Sequence, residues 1–288
     1  MIHKKSFTSK IAEIILNLTK PEYMTSKHKA ELFLDENSKK DMNYFKLFSK
    51  SFIFNEMEIS TFGNKENCNR IILFIHGGAY VGNVNLQHQL YCRYLSRKLD
   101  AYVALPAYPL APNSTYEDTL NLITDFYKNL LENNKDIIIM GDSAGGGFAL
   151  SFCQYLKEIN LPQPKNIIVI SPWVDISMSG EYKNEDRDPV LGVEGLRVFG
   201  KSWAGSLSTR DYKVSPLYGD NRGLAPTLIF AGDNEIFCSD IEKYYDSLKK
   251  DGVDAKLIVE SGMFHVYVMF PISEAKKAFK EIKKEIME

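Results

Sequence analysis

The chain has no long apolar run. Ile71–Ile75 is typical of its longest stretches, far short of the roughly 18 to 20 residues a helix needs to cross a bilayer, so a spanning membrane protein is excluded. It also lacks an excess of charge of either sign. Thirty-five Lys and Arg against 37 Asp and Glu leave a formal charge of -2, so no global basic field recruits nucleic acid or acidic lipid. Cysteine is scarce and unpaired in pattern: Cys68, Cys92, Cys153 and Cys238 show no C-x-x-C spacing, which removes both a zinc site and a disulfide framework and leaves reduced thiols as the expectation. Cys153 falls on the apolar face of an expected helix and reads as a buried small hydrophobe rather than a reactive thiol. The basic N-terminal stretch is interrupted by Glu13 and Asn17 and no small-residue cleavage site follows, so a cytoplasmic protein is expected. There is no internal repeat and no low-complexity segment.

What is present is a chain of 288 residues, 44% hydrophobic and 25% charged, enough for one large core or two small ones. Short apolar runs recur at Ile71–Ile75, Tyr102–Leu105, Ile137–Met140, Ile167–Ile170, Thr227–Ala231 and Lys256–Val259. Continuous runs without strict alternation mark buried parallel strands whose two faces are both covered by helices. Helical patterns separate them, roughly at 86–99, 116–131, 144–159, 240–250 and 274–286. The order is an α/β alternation with right-handed crossovers, in which a site forms at the carboxyl ends of the strands. Two segments break the alternation. Residues 1 to about 50 are polar and helical, and 172 to about 224 form an excursion far longer than the usual connection of roughly 2 to 6 residues. Each is expected to fold over the sheet as a cap within a single domain, 1–288. The N-terminal helix, basic at Lys4, Lys5 and Lys10 and apolar at Ile11, Ile14, Ile15 and Leu18, is expected to pack over the site rather than to touch a membrane.

Directly after the run IIIM comes Gly141-Asp142-Ser143-Ala144-Gly145-Gly146-Gly147, opening a helix. This is G-x-S-x-G in the strand–turn–helix setting that lifts a serine hydroxyl above a sheet. Phosphate binding is the other chemistry for such glycines, but no Lys-Ser or Lys-Thr follows and the G-x-G-x-x-G spacing with a later acidic residue is absent. After the run IILFI comes His76-Gly77-Gly78-Ala79-Tyr80. Glycines there let backbone N–H groups turn toward one point, as the oxyanion of acyl transfer requires. The candidate donors are the amides of Gly78, Ala79 and Gly77, together with Ala144; His76 reads as a prop for the loop.

A serine nucleophile needs a neutral imidazole, and the imidazole an acidic partner. In the chain order Ser, acid, His, only His265 of the five histidines follows Ser143. The acid belongs after the run TLIFA, where Asp233, Glu235 and Asp240 compete. Asp240 reads as the cap of the next helix and Asp233 follows the strand at once.

Together these residues resemble the hormone-sensitive-lipase-like branch of the α/β-hydrolase fold. HGGAY resembles its His-Gly-Gly signature, GDSAGGG its nucleophile elbow, and Tyr108-Pro-Leu-Ala-Pro112 with Tyr116-Glu-Asp118 its Y-x-L-A-P segment; Ser171-Pro-Trp-Val-Asp175 and Asp188-Pro-Val-Leu191 match further blocks in order. The resemblance implies a carboxylesterase acting on short acyl esters, an N-terminal helical cap, and no metal or organic cofactor. With loop position, it selects Glu235 as the acid. The chain departs from the family pattern there, since Asp is usual, and at Ala79, where a third glycine is usual.

The expectation is therefore an α/β-hydrolase fold, a mostly parallel central sheet flanked by helices, capped by the N-terminus and by the insertion after Ile170. The expected activity is a serine carboxylesterase with Ser143, Glu235 and His265 as triad. Its partner is a small-molecule ester, with neither nucleic acid nor stable membrane insertion; a homodimer is left open. A catalytically silent binding protein of the gibberellin-receptor kind is disfavoured by His265, and an acylaminoacyl-peptidase by the absence of a preceding propeller domain. Asn184–Asp188 resembles a calcium loop but lacks D-x-D-x-D spacing, and reads as a solvated cap segment anchored by Asp188.

Overall fold

The computed structural model describes residues 5–39, 47, 49–133 and 135–287. Eight strands form one sheet: β1 (Lys50–Phe54), β2 (Met57–Phe62), β3 (Arg70–Ile75), β4 (Tyr102–Ala107), β5 (Asp136–Asp142), β6 (Asn166–Ile170), β7 (Thr227–Gly232) and β8 (Ala255–Glu260). Their spatial order is β1-β2-β4-β3-β5-β6-β7-β8. The hairpin β1–β2 and the pair β2–β4 are antiparallel; every other pairing is parallel.

The apolar runs are continuous because successive residues feed opposite cores. In β3, Ile71, Leu73 and Ile75 belong to one cluster while Ile72 and Phe74 belong to the other, and β5 divides in the same way between Ile137 and Ile139 on one face and Ile138 and Met140 on the other. The first face is covered by α4 (Tyr116–Leu131), α5 (Ser143–Glu158) and α7 (Cys238–Lys250), the second by α3 (Leu86–Leu99) and α8 (Ser273–Met287). Among the described residues no helix is long and apolar enough to cross a membrane.

Two strands lie outside the runs read from the sequence. β1 is exposed along nearly its whole length, so it carries no buried apolar signature, and it is set by the tight turn at Asn55 and Glu56, both at positive φ. The N-terminal region also divides, contrary to a single cap. The turn Glu22–Met24 and α2 (Lys27–Ser38) pack on α6 (Val193–Ala204) of the 172–224 excursion, with Tyr23 stacked on Phe33 at 4.1 Å and Phe33 against Phe199 at 5.8 Å. The first helix, α1 (Phe7–Leu18), is instead fastened to α8: Ser6 and Ser9 donate to the Glu274 carboxylate, and Ala12 and Leu16 rest on the α3–α8 core. Its Phe7, Ile11, Ile14, Ile15 and Leu18 face solvent, so the expectation that this helix packs over the site is corrected. Residues 1–4, 40–46 and 48 of the expected cap lie outside the described residues.

Candidate active site

The elbow follows from two steric facts. Ser143 sits at φ 52° as the first residue of α5, immediately after β5, and the chain can turn so tightly only where flanking side chains are missing. A Cβ on Gly145 would lie 2.1 Å from the Ile75 carbonyl oxygen, and one on Gly141 would lie 2.5 Å from that of Gly145. Both clashes are with backbone, which cannot move aside.

His265 follows β8, in a loop braced against the one that carries the carboxylates. Asp233 accepts from the Ser261 hydroxyl and the Gly262 amide, and Asn234 donates its side-chain amide to the Gly262 carbonyl at 3.2 Å. That brace brings three segments distant in sequence together. His265 Nε2 is 2.9 Å from Ser143 Oγ, and His265 Nδ1 is 2.6 Å from Glu235 Oε2. All three side chains are buried.

The other two carboxylates are elsewhere. Asp233 ties the β8 loop, as above. Asp240 is not the cap of its helix: α7 starts at Cys238, and the Asp240 carboxylate accepts from Tyr182 Oη at 3.0 Å and from Lys243 Nζ at 2.8 Å.

Burial works against the imidazolium form of His265, but the hydrogen bond and charge of Glu235, helped by Asp188 and Asp142, outweigh it and hold its pKa above the ordinary value. The opposite holds at His76, where burial and the neighbouring His88 push the pKa down to about 3, so this ring is neutral. Its Nδ1–H donates to the Gly77 carbonyl at 2.7 Å and its plane stacks on Tyr108 at 4.2 Å, the propping role expected of it. The Cys153 thiol is fully buried and its pKa is raised by burial.

The loop after β3 carries three successive positive φ angles: Gly78 at 121°, Ala79 at 53° and Tyr80 at 64°. Gly77 departs from its expected role. Its amide donates to Asp142 Oδ1 at 3.0 Å and so has no free hydrogen for an oxyanion. Among the described residues, the amides of Gly78, Ala79 and Ala144 carry no such bond. Aromatic rings crowd this end of the sheet: Tyr80 stacks on Trp203 at 4.2 Å and 1°, and Phe237 stands edge-on to His265 at 5.3 Å.

Three contributors escaped the reading of the sequence. His88 stands 3.5 Å from Asp142, with its Nδ1 accepting the Asn85 amide, which leaves the Nε2–H to face the carboxylate. Ser171, noted only as part of a matching block, contacts Glu235. Asp188, expected only to anchor its segment, accepts the amides of Val190 and Leu191 on Oδ1 and that of Ile236 on Oδ2, so it also fixes the residue after Glu235. The contacts of His88 with Asp142, of Ser171 with Glu235 and of Asp188 with Ile236 join segments distant in sequence, so no local pattern announced them. Among the described residues no group of three or more His, Cys, Asp or Glu is placed to hold a metal ion.

A buried serine–histidine–carboxylate chain at the carboxyl ends of a mostly parallel sheet is the arrangement of a serine hydrolase. Residues 72–269 match the alpha/beta hydrolase fold family, and the chain belongs to it. It is 32% identical to an esterase of Acinetobacter venetianus over 74% of this chain and 73% of that one. It is 28% identical to an acetyl-hydrolase of Streptomyces hygroscopicus, over 69% and 68% of the two chains. An esterase from the bacterial hormone-sensitive lipase family superposes with a TM-score of 0.83 over 98% of both chains at 24% identity, a likeness of fold.

Proposed function

We propose that the protein is a carboxylesterase that hydrolyses short-chain acyl esters of small molecules through a Ser143–His265–Glu235 triad. The Ser143 oxygen attacks the ester carbonyl carbon while His265 Nε2 accepts its proton. The amides of Gly78, Ala79 and Ala144 hold the resulting oxyanion. Collapse expels the alcohol, protonated by His265, and leaves the acyl group on Ser143. Water, deprotonated by the same imidazole, attacks this acyl-enzyme and returns the serine with release of the acid. Glu235 accepts the Nδ1–H throughout, which orients the ring and stabilises the imidazolium.

The observation that carries this reading is the continuous chain from Ser143 Oγ to His265 at 2.9 Å and on to Glu235 at 2.6 Å. The short acyl preference is supported by the Phe237 ring standing edge-on to His265 at 5.3 Å and by the acetyl-hydrolase among the relatives. The test is an acyl-length series of chromogenic esters, with the matching anilides, on the wild type and Ser143→Ala. Turnover should be greatest for the shortest acyl chains and far weaker on anilides. It should fall by several orders of magnitude in the variant, which a fluorophosphonate should no longer label. Equal labelling of both proteins removes the nucleophile assignment; a maximum at long acyl chains removes the short-chain preference.

A further inference from the structure

Ser171 follows β6 directly, is fully buried, and adopts φ 50°, unusual for a residue with a side chain. Across from it Val266, the residue after His265, adopts φ 54°, which is a stronger outlier because Val is β-branched. One hydroxyl joins these two strained points to the carboxylate. Ser171 Oγ lies 3.0 Å from Glu235 Oε1 and 3.0 Å from the Val266 amide nitrogen. The directions of both bonds are forced: an ionised carboxylate only accepts, so the hydroxyl donates to Glu235, and its lone pair receives the Val266 N–H.

Glu235 Oε1 accepts a second hydrogen from the Gly232 amide at 2.8 Å, which leaves Oε2 for His265. The carboxylate is therefore oriented by the atom that also sets the backbone beside the imidazole. Backbone outliers persist only where surrounding contacts over-determine them, and they gather where geometry serves function.

We propose that Ser171 is a positioning residue for the hydrolytic reaction, its hydroxyl locking the acid loop and the histidine loop into one unit so that the imidazole is held in register with Ser143. The inference rests on the triad reading above.

Ser171→Gly is the decisive variant, because glycine accepts the positive φ without strain while the hydroxyl is lost. Its kcat should fall about 10- to 100-fold with KM changed less than about threefold, the scale of losing one hydrogen bond to a charged group. In a Glu235→Gln background the same change should have less than about a threefold effect, because the group through which Ser171 acts is already disabled. If Ser171→Gly does not fold, by circular dichroism and thermal melting, Ser171→Cys takes its place with the same expectation, its thiol keeping the volume but offering only a weak donor. A folded variant with wild-type kcat, or one with the same loss in both backgrounds, overturns the proposal. If Glu235→Gln itself leaves turnover intact, the triad reading fails instead, and the two failures are thereby told apart.

Discussion

Asp142 Oδ1 accepts the amide hydrogen of Gly77 at 3.0 Å, binding the residue before Ser143 to the loop after β3. Its other oxygen faces His88 at 3.5 Å, at the start of α3. The elbow, the loop after β3 and a helix N-terminus thus share one buried carboxylate. Burial disfavours its charge, but the His88 imidazole and the Gly77 amide, both directed at the carboxylate, outweigh that and hold the Asp142 pKa below its ordinary value.

Asp142→Asn should be destabilising despite its small change in shape. The amide oxygen can still accept from Gly77, but the NH2 group then faces the His88 Nε2–H, two donors with no acceptor. A buried unsatisfied donor costs about 1 to 3 kcal/mol, so chemical denaturation should show a loss in that range. In the wild type the contribution of this carboxylate should be present above about pH 4 and disappear as pH falls through the lowered folded pKa; the variant should lack that acid-side dependence.

Glu235→Gln retains the shape of the acid but removes the charge that stabilises the His265 imidazolium. A comparable change in a serine protease triad costs about 10⁴-fold in turnover, and a loss of that order is expected here. Asp240→Asn, which touches Tyr182 and Lys243 and not His265, should keep turnover within about twofold. Steady-state kinetics on a short ester distinguishes them. A large loss at Asp240 with Glu235→Gln active would reverse the assignment.

Activity should rise with pH, because only the neutral imidazole can take the serine proton. Since the His265 pKa is raised by Glu235, the acidic limb of kcat/KM should have its midpoint above the usual histidine value of about 6.5. Below that midpoint the rate should fall tenfold per pH unit. A midpoint below 6 in the profile would contradict the coupling to Glu235.

Glycine substitutions should separate steric from conformational cost. Gly145→Ala forces a Cβ to within 2.1 Å of the Ile75 carbonyl oxygen and 2.4 Å of that of His76. Gly223 has φ 80° and open space within 4 Å, so Gly223→Ala meets only the left-handed penalty of about 1 to 2 kcal/mol. Thermal melting should show a clearly larger loss for Gly145→Ala, with esterase activity abolished in that variant alone. Equal losses would mean that the elbow has room the structure does not show.

The order of strands and helices was legible because each parallel strand must bury both faces, which writes a continuous apolar run, and because each crossover helix leaves a period near 3.6. β1 was not legible for the same reason: an exposed hairpin strand has no core to imprint a pattern on it. The destination of α1 was equally hidden. Its apolar residues suggested a cap, yet the chain attaches by Ser6 and Ser9 to Glu274, hundreds of residues away, and an amphipathic pattern does not say which surface the polar face will meet.

At the site, Ser143 was determined by the local sequence, since the turn geometry that exposes it depends on glycines within a few residues. His265 was determined by chain order and by being the only histidine after the serine. The choice among Asp233, Glu235 and Asp240 drew on loop position and family resemblance; which of them meets the imidazole was decided by how the loops after β7 and β8 brace each other. The loss of Gly77 as a donor and the place of Ser171 between Glu235 and Val266 were likewise tertiary decisions. Local sequence encodes what a segment's own backbone can do, whereas a hydrogen bond between residues 65 or 95 positions apart exists only once the sheet has set those segments side by side.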